Sequence, residues 1–520
     1  MKFCARPDEV RTDAESRLPA SNTTAPHACV ARRLAARTAS AGLLLYALCA
    51  PHSIAGAWVA LSLVVLGWLA RTLLTRRLGL RRTPLDLPLW ALFGWSVLSA
   101  ICSAEPRISL LKLISVSTFL IYYCVQAVIT RRTAVLLATV LIVSGCAGVG
   151  WSVVEIVRGR GVVVEWLAPD NPLRGTGLRE GDAVWRVNGL RVNSATELAE
   201  AVRRAEPGTP LRLSVITRGE HVEWNGPPVT EAMKTATPPA GIYGTQRTHR
   251  FRASGWTRHY ETFAELLQLL AQLALGFALA HLQRRAPDPK HARLRGALYA
   301  AAFILLAAGI ALTAMRTVLL AFAAGACVLL LRWRAGAAGR RARHAVLIAV
   351  ALICVLGAFA VWRTRATGAL RLQDESARLR VEVARQALAR VPLHPVFGHG
   401  MDAVHEHWHD WGFPGTNMLH AHSTPIQLAF DRGLPALFIW LWLILTFWLI
   451  TTRAERRWRA ADDDAGPHGL LLGATGALAG FFVSSLVNYN FGDAEVTLLL
   501  WWLMAAVVRT DDEGQMMNDE

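Results

Sequence analysis

Long apolar runs recur along this chain, separated by short arginine-rich segments. A helix needs about 20 apolar residues to cross a hydrocarbon core, and these runs approach or reach that length. Only helices or closed barrels satisfy their own backbone in lipid, and the runs lack the apolar–polar alternation of barrel strands. Composition agrees: 53% of the 520 residues are hydrophobic and 18% are charged. The expected fold is an all-α polytopic membrane protein with about 12 transmembrane helices. The runs lie near 38–50, 54–70, 86–102, 109–129, 133–155, 262–282, 296–314, 317–331, 344–361, 426–450, 469–487 and 494–508. Pro51-His52 and Arg316 set the second and eighth runs apart from their neighbours.

Cytoplasmic loops carry an excess of Lys and Arg, which fixes the expected orientation. Arg71, Arg76, Arg77, Arg81 and Arg82 follow the second run, and Arg131 and Arg132 follow the fourth. Further basic groups follow the sixth, eighth and tenth runs, while the short opposite loops hold almost none. Both termini are therefore expected to be cytoplasmic, as tails 1–36 and 510–520. The net charge of +17 is mostly this topology signal, spread over five turns and not gathered on one soluble module. Membrane lipids are the expected surroundings and nucleic acid is not an expected partner. The eight cysteines fall in runs or in the tail, so no disulfide framework or CxxC site is implied.

Helices one to five occupy 37–157, six to nine occupy 262–361, and ten to twelve occupy 426–509. Between the first two blocks lies a soluble insert, 158–235, followed by a linker, 236–261, with Pro227-Pro228 and Pro238-Pro239 around their boundary. In the insert, Asn188-Gly189 marks a hairpin, Ser194 caps an amphipathic helix, and Pro210 opens an alternating strand. Gly177-Leu178, Gly181-Asp182 and Asn188-Gly189 resemble the signature of a bacterial PDZ domain. That resemblance implies a small α/β domain that binds peptide or protein ends by strand addition; a plain α/β spacer is the other reading. The strand that normally precedes this signature has no counterpart before Gly161.

A third soluble stretch, the loop 362–425, runs into the histidine-rich segment 394–435, which holds seven of the 16 histidines. His405-Glu406-His407-Trp408-His409 matches the HExxH pattern, which works on a helix where both histidines share one face and the glutamate activates a zinc-bound water. A PDZ-containing membrane zinc metalloprotease using His405, Glu406 and His409 is accordingly one reading. Against it, the motif lies in a hydrophilic loop, Gly412 and Pro414 interrupt any helix, and no downstream acid supplies a third ligand. A transporter is a third reading, but it places functional polar residues mid-membrane, and few are found there.

A second set of residues runs through and around this loop: Arg316 at the end of an earlier run, Arg380, the turn Pro395-Val-Phe-Gly398-His-Gly400, the pair His422-Ser423, and the following Gly433-Leu-Pro. In this order they resemble the signature region of the O-antigen ligase and polymerase superfamily. The resemblance implies a GT-C-like bundle in a bacterial inner membrane, with its site on the periplasmic face. It implies a glycosyltransferase that moves a glycan from a polyprenyl-diphosphate carrier to an acceptor: lipid A-core, a growing polysaccharide or a protein. Arg316 and Arg380 would neutralise the leaving diphosphate, for which the planar guanidinium is suited. His422 would act as base or bind the diphosphate, with His420 and Ser423 in support. No metal or other cofactor is required in that scheme.

Overall fold

A computed structural model describes residues 26–169, 171–217, 219–257, 259–283, 289–333, 344, 348, 355, 375–415, 419–461 and 464–519. Seven described helices are long and apolar enough to cross a membrane: Ile54–Thr75, Pro106–Val128, Arg131–Arg158, Tyr260–Gln283, Lys290–Leu312, Thr424–Arg459 and Ala465–Ser485. Asp86–Cys102 is apolar but shorter. Helices also cover Pro26–Cys49, Arg316–Arg332 and Ala494–Asp519. The protein is an integral membrane protein, but these helices do not establish the expected total. The run at 344–361 lies almost wholly outside the described residues.

Local chemistry explains the boundaries. Ser53 caps Ile54–Thr75 by accepting from the Gly56 amide at 3.1 Å, so Pro51-His52 is a turn between two packed helices. A similar turn, with Ala314 at φ +55°, separates Leu312 from Arg316. The expected run 109–129 is interrupted by a 3₁₀ turn at Ser117–Phe119. The last helix runs on to Asp519, through the stretch expected as a tail.

Helix Tyr260–Gln283 is the axis of the bundle, and its apolar window is entirely buried. It packs most closely on Ala465–Ser485, where a Cβ on Gly276 would lie 2.3 Å from the Gly473 nitrogen. Such small residues let backbones approach where lipid supplies no hydrophobic drive for association. The same helix carries Glu265, Gln268 and Gln272, all buried. Mid-membrane polar residues are thus more numerous than the sequence reading allowed, because they form a single helix stripe masked by its apolar neighbours.

The insert is a small sheet domain. Its strands are β1 (Val162–Val163), β2 (Trp166–Leu167), β3 (Ala183–Val187), β4 (Leu190–Arg191), β5 (Pro210–Thr217), β6 (Glu220–Pro228) and β7 (Ile242–Tyr243). The main sheet runs β1-β3-β5-β6 with β4 on β3, and β2 pairs with β7. Asn188 and Gly189 both take positive φ in the expected hairpin, and Ser194 caps helix Ala195–Arg204 through the Glu197 amide.

The stretch 236–261 is not simply a linker. Residues 242–248 lie antiparallel to 160–167, with Trp166 opposite Tyr243, Arg160 bridged to Thr248, and the Val163 amide donating to Gln246 at 2.8 Å. Met233, Ala240 and Ile242 enter the same core as Leu198 and Val202. The strand missing ahead of Gly161 is thus replaced by one that arrives after the domain.

The insert is fastened to the helix ends around it. Arg160 pairs with Glu155 and lies over the Trp185 and Phe251 rings, and Arg252 pairs with Glu220 at 3.0 Å. The Ala253 amide donates to Leu312 at 3.0 Å, placing the insert beside the turn that precedes Arg316.

Candidate active site

The site is built around a break in the helix Thr424–Ala461. Gly433 sits at φ +79° and ψ +171°, and Pro435 has no amide hydrogen, so the carbonyls of Phe430 and Asp431 lose their helical donors. The turn Pro395–Gly400 supplies replacements. The His399 amide donates to Phe430 at 2.8 Å, and the Gly400 amide donates to Asp431 at 3.0 Å. The fit needs glycine, since a Cβ on Gly398 would lie 2.4 Å from the Asp431 carbonyl carbon. Phe397 stacks on Trp95 at 5.7 Å, and its carbonyl accepts from Ser99 Oγ at 2.6 Å, which ties the turn to helix Asp86–Cys102.

The buried side chain of Gln427 then holds the histidine strand in place. Its Oε1 accepts from the Ala421 amide at 2.6 Å, and its Nε2 donates to Asp431 Oδ1 at 2.8 Å. His420 and His422 flank that amide, with ring centroids 4.4 Å apart at 69°. His422 has a φ of +53°, in the left-handed region that few residues other than glycine adopt. Ser423 is buried and its carbonyl accepts the Gln427 amide at 2.8 Å.

Arg380 reaches this place from helix Glu375–Arg390, and its Nη2 lies 3.6 Å from Glu261 Oε2. Burial, and then the charge of Arg380, push the His420 imidazole down to about 4; Asp493 opposes this in part. Burial, then His420 and Arg380, push His422 down to about 3. Both rings are therefore neutral near pH 7 and offer one donor and one acceptor each.

Arg316 opens helix Arg316–Arg332 at the same end of the bundle. The neighbouring Thr317 hydroxyl accepts from Asn488 Nδ2 at 3.3 Å, and that amide also donates to Glu265 at 3.1 Å. The Asn488 carbonyl in turn receives the Thr424 amide at 3.2 Å. Arg380, His420 and His422 thus share one electrostatic neighbourhood, while Arg316 is tied to it through Thr317, Asn488 and Thr424.

The HExxH geometry is not formed. Helix Ala403–Glu406 ends before His407, so His405 and His409 do not share a helical face. His405, Glu406 and His409 are exposed, whereas Trp408 between them is fully buried. His407 instead meets Glu105 at 2.8 Å and Asp410 at 3.5 Å and stacks on Trp411, with its pKa raised chiefly by the Glu105 bond. Among the described residues no group of three or more His, Cys, Asp or Glu is placed to hold a metal ion.

The sequence reading missed Gln427, Glu261, Asn488 and the buried Arg432, whose Nη1 donates to Ser96 at 3.1 Å. An ionisable residue within an apolar run was the available signal for Arg432, whereas Glu261 falls at the end of the expected linker 236–261 and carried no such signal. Gln427 and Asn488 gave none, because their roles depend on chain segments distant in sequence.

Residues 301–441, which contain Arg316, Arg380, both histidines and the helix break, match the O-antigen ligase family. Residues 147–225 match the PDZ domain and stop short of the strand that closes the insert. A probable periplasmic serine endoprotease, DegP-like, of Halomonas elongata is 37% identical over 64 residues, 12% of this chain. The match spans only 14% of that relative and says nothing of proteolysis here. The protein is a membrane protein that carries an O-antigen ligase domain and, ahead of it, a PDZ domain.

Proposed function

We propose that the protein is a glycosyltransferase of the O-antigen ligase type, taking a glycan from a polyprenyl-diphosphate carrier. The acceptor is a lipid A-core, a growing polysaccharide or a protein. The reading is carried by the His420–His422 pair, with ring centroids 4.4 Å apart, lying within the field of Arg380 at the helix end that also bears Arg316. On the arginine distribution, this end faces the periplasm of a bacterial inner membrane and both termini are cytoplasmic.

Bond breaking places negative charge on the leaving diphosphate, and preorganised cations lower that barrier. Arg380 and Arg316 fill this role, with His422 donating a hydrogen bond to a phosphate oxygen and His420 supporting it. Ser423, buried behind the pair, fixes the backbone from which His422 projects. An imidazole pushed down to about 3 is a weak proton acceptor, which favours phosphate binding over general-base work for His422. The PDZ domain, held beside the site, would present a peptide or protein partner.

Separate His422→Ala, Arg316→Ala and Glu406→Ala variants test this in cells that lack the wild-type copy. Loss of surface glycan attachment with the first two and retention with the third is the expected pattern. Retention with His422→Ala and loss with Glu406→Ala would overturn it.

A further inference from the structure

Glu261 is the second residue of the central helix Tyr260–Gln283, at the end where the histidines lie. Its carboxylate and the Arg380 guanidinium, 3.6 Å apart, keep 28% and 24% of their side-chain surface exposed. A closed charge-assisted bond is shorter, about 2.7–2.9 Å, so the pair is engaged loosely and remains within reach of a ligand. The ionisable groups facing Glu261 are Arg380 from helix Glu375–Arg390, Asp493 ahead of the last helix, His259 from its own approach and Glu265 from its own helix. Glu265, one turn deeper, is held by neutral donors by contrast: its Oε1 accepts from Ser484 at 2.9 Å and Asn488 at 3.1 Å.

Glycan transfer to a hydroxyl needs a group that takes the acceptor's proton. The two histidines are poorly matched to that task, because burial and Arg380 hold both imidazoles far below neutral. Resting on the transferase reading above, we propose that Glu261 is the catalytic base, released from Arg380 when a lipid-linked diphosphate engages that arginine. The diphosphate is the stronger partner for the guanidinium, since it offers paired anionic oxygens to the planar fork. Glu261 then faces the acceptor as a carboxylate without its counter-ion.

In the step itself, Glu261 removes the hydroxyl proton as the acceptor oxygen bonds to the anomeric carbon. The bond between that carbon and the diphosphate oxygen breaks, and its electron pair leaves with the diphosphate, where Arg380 meets the new charge. The carboxyl proton then passes to the departing diphosphate or to water.

The test uses the full chain in lipid nanodiscs with a polyprenyl-diphosphate-linked oligosaccharide as donor. Lipid A-core, polysaccharide and protein acceptors are tried in turn. Glu261→Gln is expected to lower kcat by about a hundredfold or more, with the donor KM changed by less than about threefold. It should also abolish the acid limb of the pH profile, which Glu261→Asp should keep at a reduced rate. An unchanged unfolding midpoint in Glu261→Gln, together with the activity of Glu261→Asp, separates chemistry from misfolding. Three results overturn the proposal: undiminished kcat in Glu261→Gln; a raised KM at unchanged kcat, which leaves Glu261 only a positioner of Arg380; or an acid limb that survives Glu261→Gln but not His422→Gln. Wild-type failure on every acceptor overturns the transferase reading and this inference with it, whereas wild-type activity that survives Glu261→Gln overturns the inference alone.

Discussion

The Leu434 amide donates to the Pro395 carbonyl at 2.8 Å, joining residues on either side of the histidine loop at a point where a membrane helix is broken. The loop is therefore anchored at both ends to the same helix break. Its catalytic candidates are positioned by a rigid helix and not by loop chemistry alone.

Gly433→Ala should disrupt that anchor. A backbone at φ +79° and ψ +171° is essentially reserved to glycine and costs a side-chain-bearing residue about 1–3 kcal/mol by itself. The added Cβ would also lie 1.9 Å from the Val396 carbonyl oxygen, which cannot retreat without releasing the Pro395–Gly400 turn. The expected outcome is a lower unfolding midpoint in detergent together with loss of glycan transfer. An unchanged midpoint would show that the helix break is not needed to seat the turn.

Acid should weaken the loop through His420 and His422. Their native pKa values, about 4 and about 3, lie below the ordinary 6.5, so the unfolded chain binds more protons between these limits. The stability they contribute is present above pH 6.5 and is lost as pH falls toward 3. Measured as proteolytic resistance of the segment 394–423, wild type should lose more between pH 6.5 and 4 than a His420→Gln/His422→Gln double variant. Parallel curves for the two proteins would contradict the assigned surroundings of the pair.

Ile242→Ala should loosen the insert while sparing the bundle. Ile242 is 3% exposed and belongs to the core that includes Leu198 and Val202. Truncating a buried isoleucine costs about 2–5 kcal/mol, a large share of the stability of a small domain. Faster amide hydrogen exchange across 160–167 than across helix Tyr260–Gln283 is the expected reading. Unchanged exchange in 160–167 would mean that the return strand is not part of the insert.

Much of this was legible in the chain itself. Apolar length gave the membrane helices, Asn188-Gly189 and Ser194 gave the hairpin and the cap, and the ordered residues from Arg316 to Gly433 gave the ligase resemblance. These signals are local, or are short motifs in a fixed order, so they survive in one dimension. Two local patterns do not carry the structure they suggest, and one of them, the linker 236–261, overturns an expectation. The HExxH run satisfied a spacing rule, but Trp408 is drawn into the core with Val404 and Phe413, and the short helix ends before His409 can join His405. The return stretch 236–261 carried too brief an alternation to read as a strand until its partner at 160–167 was known.

The sequence alone determined that the chain enters the membrane repeatedly, that a PDZ-like unit interrupts its helices, and that arginines and histidines gather ahead of a Gly-x-Pro helix break. Burial length, turn propensity and charge are properties of neighbouring residues. Only the tertiary structure decided which histidines share a site with Arg380, that Glu261 faces that arginine across 3.6 Å, and that Gln427 ties the Ala421 amide to Asp431. Those contacts depend on distances between segments far apart in the chain, and helix packing, which no local pattern encodes, sets them.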